Sequence, residues 1–302
     1  MGSQEAFADI TYGTGNYSGY YSNSGVITIA DGAVITLIGN TTFAAGTSFI
    51  MNSGSSIVGG STYTLTISAS SAPNTLRTIT IAGTLTLTRG TIGPTYTTNN
   101  TITCGTFTFS AGGTTLNLNN DLNCANPLIT SGNYLTVTGS PTITVTGNWT
   151  NNGGTFTPSS STVTFNGTGA QAINGTAASQ TFNNLTIAKT VGTTLSVSGS
   201  TTTLTVNNLT ETTGNFTAPA TLNINGNATL TAGTFTAGAN TNVKGNWTNN
   251  GVTFTAGSST VIFNSTITGR TIRTNNSAFS TLTINGSGGY WTLNTNNLTA
   301  AT

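Results

Sequence analysis

Short runs in which an apolar residue alternates with Thr, Ser or Asn recur along the chain. They include Val26-Ile27-Thr28-Ile29, Val34-Ile35-Thr36-Leu37, Tyr63-Thr64-Leu65-Thr66-Ile67, Thr84-Leu85-Thr86-Leu87-Thr88, Thr106-Phe107-Thr108-Phe109 and Leu135-Thr136-Val137-Thr138. Successive side chains of a strand point to opposite faces, so strict alternation predicts β-strands with one buried face and excludes helix almost everywhere. β-Branched Thr, Val and Ile suit the pleated surface, and the Gly, Asn-Gly and Asn-Asn between runs supply corners every 5 to 9 residues.

The runs are repeated. Gly147-Asn148-Trp149-Thr150-Asn151-Asn152 returns 98 residues later as Gly245-Asn246-Trp247-Thr248-Asn249-Asn250. Thr155-Phe156-Thr157 answers Thr253-Phe254-Thr255, and Val163-Thr164-Phe165-Asn166 answers Val261-Ile262-Phe263-Asn264. Phe182 and Leu185-Thr186-Ile187 match Phe279 and Leu282-Thr283-Ile284, one residue closer. A shorter beat of 19 to 20 residues links Leu222-Asn223-Ile224-Asn225-Gly226, Asn242-Val243-Lys244-Gly245 and Val261-Ile262-Phe263-Asn264, so that five coils are expected in each 98-residue unit.

Many short alternating strands fit either an antiparallel sandwich or a parallel coil. A sandwich gives each strand a different environment, whereas stacked rungs give every coil the same neighbours, and only the coil explains a 20-residue repeat. The expected fold is all-β: a parallel β-solenoid (β-helix) with rungs of about 20 residues, right-handed by the crossover rule. With rungs about 4.8 Å apart, about 14 of them would form a rod on the order of 65 to 70 Å long. Residues 1–25 are Tyr- and Gly-rich and read as an N-terminal cap or docking segment, 26–302 as the solenoid, and 142–302 as the part holding the long repeat.

Composition narrows the function. Only 4% of the 302 residues are charged, the net charge is +1 and there is no histidine. Solubility then rests on hydroxyls and amides, and the electrostatic footprint of a nucleic-acid or anionic-lipid binder is missing. No apolar run approaches the roughly 18 residues of a membrane span. Met1–Asp9 lacks the basic and apolar regions of a secretory leader, so the expectation is that a leader, if there was one, has been removed.

Candidate chemistry is sparse. β-Helical polysaccharide lyases and hydrolases need clustered carboxylates and a basic partner. The five acids, Glu5, Asp9, Asp31, Asp121 and Glu211, are scattered, which predicts no catalytic site, no cofactor and no metal site. Lys189, Lys244, Arg270 and Arg273 read as isolated solvated charges, with no buried acid singled out beside them for a lysine crosslink. Trp149 and Trp247 share parity with Val145 and Val243 and are expected to point inward; Trp291 is also read as structural. Cys104 and Cys124 are either two small buried thiols or, one rung apart, a rung-to-rung disulfide; the 20-residue spacing favours the bridge and with it an oxidising compartment. Sequons at Asn148, Asn184, Asn208, Asn215, Asn246, Asn264 and Asn297, among others, are either chance products of an Asn- and Thr-rich chain or glycan acceptors that would coat a nearly uncharged rod. Thr-x-Thr runs would stack into hydroxyl and methyl ladders of the kind that ice-binding solenoids carry, although Thr stands at corners as well as in strands.

Gly-Asn-Trp-Thr-Asn-Asn-Gly with the following Thr-Phe-Thr, Ser-Ser-Thr-Val-Thr-Phe-Asn-Gly and Asn-Asn-Leu-Thr-Ile resembles the Thr/Asn/Gly-rich repeats of large secreted prokaryotic surface proteins. It is similar to the β-helical shafts of filamentous-haemagglutinin-type adhesins, closely over about 142–302 and in texture before that. The resemblance implies surface display: a structural filament subunit or adhesin shaft, extracellular or on the cell surface. The pattern halts part-way through a coil at Asn296-Asn297-Leu298-Thr299, so the expected partners are further repeats of the same protein or a second copy stacked head to tail, with surface glycans as a further possibility. A carbohydrate-binding module and an ice-binding protein are the alternatives.

Overall fold

The computed structural model describes residues 9–60 and 62–294, and the backbone of 299–300. Strands, turns and bends make up the described residues, and there the strands pair in parallel, apart from an antiparallel bridge between Thr130 and Gly153. The result is a β-solenoid of about 13 turns averaging about 21 residues. Two compact units divide it, 1–143 with 152–159, and 144–151 with 160–302.

In the first unit each turn contributes strands to three ladders. One ladder is an eight-stranded sheet running from Ile10–Tyr12 through Ile27–Ile29, Phe49–Met51, Asn74–Leu76, Thr95–Thr98, Thr115–Leu118 and Tyr134–Val137 to Thr155–Thr157. A second aligns Ile35, Ile57, Ile79, Ile102 and Leu122, all wholly buried. The third aligns Phe43, Ile67, Leu87 and Phe109. Within these columns apolar side chains stack on one another from turn to turn, and each such burial contributes about 1.5–3 kcal/mol. The Tyr-rich stretch forms a turn of this coil: Ile10–Tyr12 pairs with Ile27–Ile29, and Gly15–Asn23 with Val34–Ala45. Tyr12, Tyr17 and Tyr21 gather their rings around Phe43 at 5.5 to 6.3 Å.

The second unit also has three ladders. The first takes residues 203–206, Thr221–Ile224, Asn240–Val243, Thr260–Phe263 and Thr281–Ile284. The second takes Thr162–Phe165, 184–187, 208–211, Ala228–Leu230, Trp247–Asn249, Arg270–Arg273 and Trp291–Leu293. The third takes 149–150, Gln171–Asn174, Thr194–Val197, Asn215–Thr217, Gly233–Thr236 and Val252–Thr255. Trp149 and Trp247 both point inward and are buried, in keeping with their parity.

The 98-residue unit is not five coils. Trp149 lies in the third ladder and its counterpart Trp247 in the second; Val163 and Leu185 lie in the second, and their counterparts Val261 and Leu282 in the first. Turn length is the cause. Register partners near the start of the unit are 24 residues apart, as in Trp149 and Ile173, whereas later ones are 19 apart, as in Phe235 and Phe254. The duplication therefore spans a whole number of strands without spanning a whole number of turns.

Close stacking at corners demands glycine where there is no room for a Cβ. Gly233 has φ +116°, and a Cβ there would lie 1.6 Å from Gly214 O. Only a residue without a side chain satisfies both constraints.

Candidate functional site

The outward surface of the second unit carries a column built from the sequons. Asn184-Leu185-Thr186, Asn208-Leu209-Thr210, Asn227-Ala228-Thr229 and Asn246-Trp247-Thr248 stack on successive turns. In each triplet the middle residue is buried and the Thr faces outward. The Asn carboxamides link the turns: Asn208 Nδ2 donates to Asn184 Oδ1 at 2.9 Å, while Asn208 Oδ1 accepts Asn227 N–H and Asn227 Oδ1 accepts Asn246 N–H, both at 2.9 Å. Asn246 Oδ1 in turn accepts Thr271 N–H at 2.9 Å. Corner amides left open by the strand ladders thereby gain partners. The Asn and Thr of the first three triplets line a shallow open trough.

The remaining sequon residues lie elsewhere. Asn148 is exposed and its Oδ1 accepts Ala172 N–H at 2.8 Å. Asn215 stands in the third ladder, pairing with Thr194 and Thr234. Asn264 borders a second shallow trough with Asn223, Asn242 and Lys244, its Oδ1 buried without a hydrogen-bond partner. Asn297 falls outside the described residues.

Cys104 and Cys124 are register partners on adjacent turns, both buried and both thiols, with Cys104 Sγ donating to Cys124 Sγ at 3.5 Å. That hydrogen bond, followed by burial, pushes the Cys104 thiol well above its ordinary pKa.

The charged residues depart from the expectation of uniform solvation. Lys244 is exposed, and Arg270 and Arg273 are half-buried, with Arg273 Nη1 donating to Asn250 Oδ1 at 2.8 Å. Lys189, in contrast, is buried. It shares the parity of Leu185 and Ile187, which turns it inward, and its Nζ lies within hydrogen-bonding distance of three acceptors: Gly167 O at 3.0 Å, Gly169 O at 2.8 Å and Gln171 Oε1 at 2.6 Å. Burial lowers its pKa. Glu211 also points inward, in register with Ile187 and Leu230. It is fully buried, neither carboxyl oxygen has a hydrogen-bond partner, and burial pushes its pKa up to about 8.

On the first unit, Thr42, Thr66, Thr86 and Thr108 form an outward column on consecutive turns, flanked by Thr84 and Thr106 on one side and Ser68 and Thr88 on the other. Among the described residues no three His, Cys, Asp or Glu side chains converge as metal ligands, and no helix is long and apolar enough to cross a membrane. Comparison with protein-family models, curated proteins and solved structures finds no match to this chain.

Proposed function

We propose that this chain is a non-enzymatic structural segment of an extracellular surface protein, a filament subunit or adhesin shaft that extends by stacking solenoid rungs. The observation that carries the reading is the Asn column. Each turn offers carboxamide acceptors that the backbone of the next turn fills, so the surface chemistry is devoted to joining rung to rung. The apolar inward columns and the scarcity of charge support the same role, because like charges repeated at strand spacing would repel along a stack. Its partners are then further repeats of the same protein or a second copy.

Electron microscopy of the native material tests this directly, with filaments or stalks expected on the cell surface. Light scattering separates the two forms. A protein that stays monomeric at high concentration removes the self-assembling subunit and leaves the shaft, and protein confined to the cytoplasm sinks both.

A second reading has its own observation. The Thr column at 42, 66, 86 and 108 presents hydroxyls and methyls at the regular spacing of a β-sheet, as an ice-binding surface would. An ice-recrystallisation assay decides it, and a glycan array addresses the carbohydrate-binding alternative.

A further inference from the structure

Lys189 and Gln171 are only 2% and 3% exposed. Lys189 Nζ lies 2.6 Å from Gln171 Oε1. A carbonyl bond is about 1.2 Å long, so Nζ is within about 4 Å of the carboxamide carbon whatever the angle between them. The acyl group is immobilised. Gly167 N–H donates to the same Oε1 at 2.8 Å, and Nε2 donates to Val145 O at 3.0 Å and to Gly147 O. The Gly167 amide sits where negative charge would grow on Oε1 if the carbon were attacked. Burial favours the neutral, nucleophilic form of Lys189. Two groups fixed at this separation away from water react as intramolecular partners, with effective molarities on the order of 10⁵ M or more.

We propose that Lys189 and Gln171 become joined by an isopeptide bond that staples one turn of the coil to the next. The Nζ lone pair forms a bond to Cδ of Gln171, and the bond from Cδ to Nε2 breaks. One Nζ proton leaves with that nitrogen as ammonia. An amine and a primary amide thus become a secondary amide and ammonia, with no change of oxidation state and no co-reactant. The inference does not depend on the shaft reading, since the geometry would act in any protein holding these two side chains so.

Mass spectrometry of the full purified chain under denaturing conditions tests it. The crosslinked protein has a mass about 17 Da below that of its sequence. Succinimide formation at Asn-Gly pairs also releases ammonia, so the decisive measurement is made on peptides. Chymotryptic cleavage after Phe182 or Leu185, which lie between the two residues, leaves the pieces bearing 171 and 189 covalently joined. Lys189→Arg and Gln171→Met should each restore the lost mass and let the pieces separate. A wild-type chain at full sequence mass, cleaved into two independent peptides, overturns the proposal, whatever the variants do.

Discussion

Glu211 makes the stability of the fold depend on pH, in a direction opposite to that of an ordinary ion-paired carboxylate. Its carboxyl group would ionise near 4.5 in the unfolded chain but holds its proton to about 8 in the folded one, because burial disfavours the charge. Between those values the unfolded state binds fewer protons than the folded state, so stability falls as pH rises. It is highest below about pH 4.5, declines by about 1.4 kcal/mol per pH unit, and levels off above about pH 8. The loss is about 3 kcal/mol at pH 7 and about 5 kcal/mol beyond pH 8, a ceiling that any water admitted at the corner would lower.

Urea unfolding followed by tryptophan fluorescence measures this, since Trp149 and Trp247 are buried in the same unit. The comparison is between wild type and Glu211→Gln from pH 5 to 9, so that every other titrating group cancels. The uncharged amide also lacks partners and costs about 1–3 kcal/mol at all pH values, which leaves the slope as the readout. The difference between the two proteins should shift in favour of the variant by about 3–5 kcal/mol between pH 5 and 8.5. Parallel pH profiles would show that Glu211 does not couple protonation to folding.

Asn208→Ala removes the bonds to Asn184 and to the amide of Asn227, and should lower unfolding free energy by about 1–3 kcal/mol in urea titration. Gly233→Ala forces a Cβ onto Gly214 O at a positive φ, and should cost about 4 kcal/mol or more, read as a lower thermal midpoint or loss of soluble protein. Under a disulfide-exchanging oxidant, Cys104 and Cys124 should pair, lowering the mass by about 2 Da and abolishing thiol titration, while Cys104→Ser blocks the change; two reactive thiols after oxidation and denaturation would exclude the bridge.

Much of this architecture can be read from residues alone. Alternation located the strands, repetition selected a parallel coil over a sandwich, and the 20-residue spacing put Cys104 beside Cys124. What escaped was the placement of the buried charges. A lone lysine or glutamate in a Thr-rich stretch defaults to solvent, because the desolvation cost is large. Yet Leu185, Ile187 and Lys189 share one parity, as do Leu209 and Glu211, and that alternation was the available signal. The Asn column escaped for another reason. Its members are separated by 24, 19 and 19 residues, and corners of unequal length hide a regular stack from any fixed period.

Those unequal corners bear on how the coil tolerates change. Duplicated segments occupy different ladders, so a strand of this sequence needs an inward apolar slot and strands to pair with, and does not need one particular side of the coil. Parity is the constraint that remains. Ala228 and Trp247 are register partners, so deleting 228–246 joins Asn227 to Trp247 and returns the chain to the coil in phase. Leu209 then meets Trp247, Phe216 meets Phe254 and Leu222 meets Val261, which keeps these three columns apolar. Deleting 228–245 instead leaves one residue too many. Asn246 then takes the inward slot, Trp247 turns to solvent, and the one-residue slip inverts the strand. Circular dichroism and urea titration should show the first variant folding cooperatively with slightly less strand, since only nearest-neighbour contacts of one turn are lost, and the second failing to do so. If the in-phase deletion collapses as readily as the out-of-phase one, the turns are not interchangeable, and stacking of equivalent rungs does not hold this protein together.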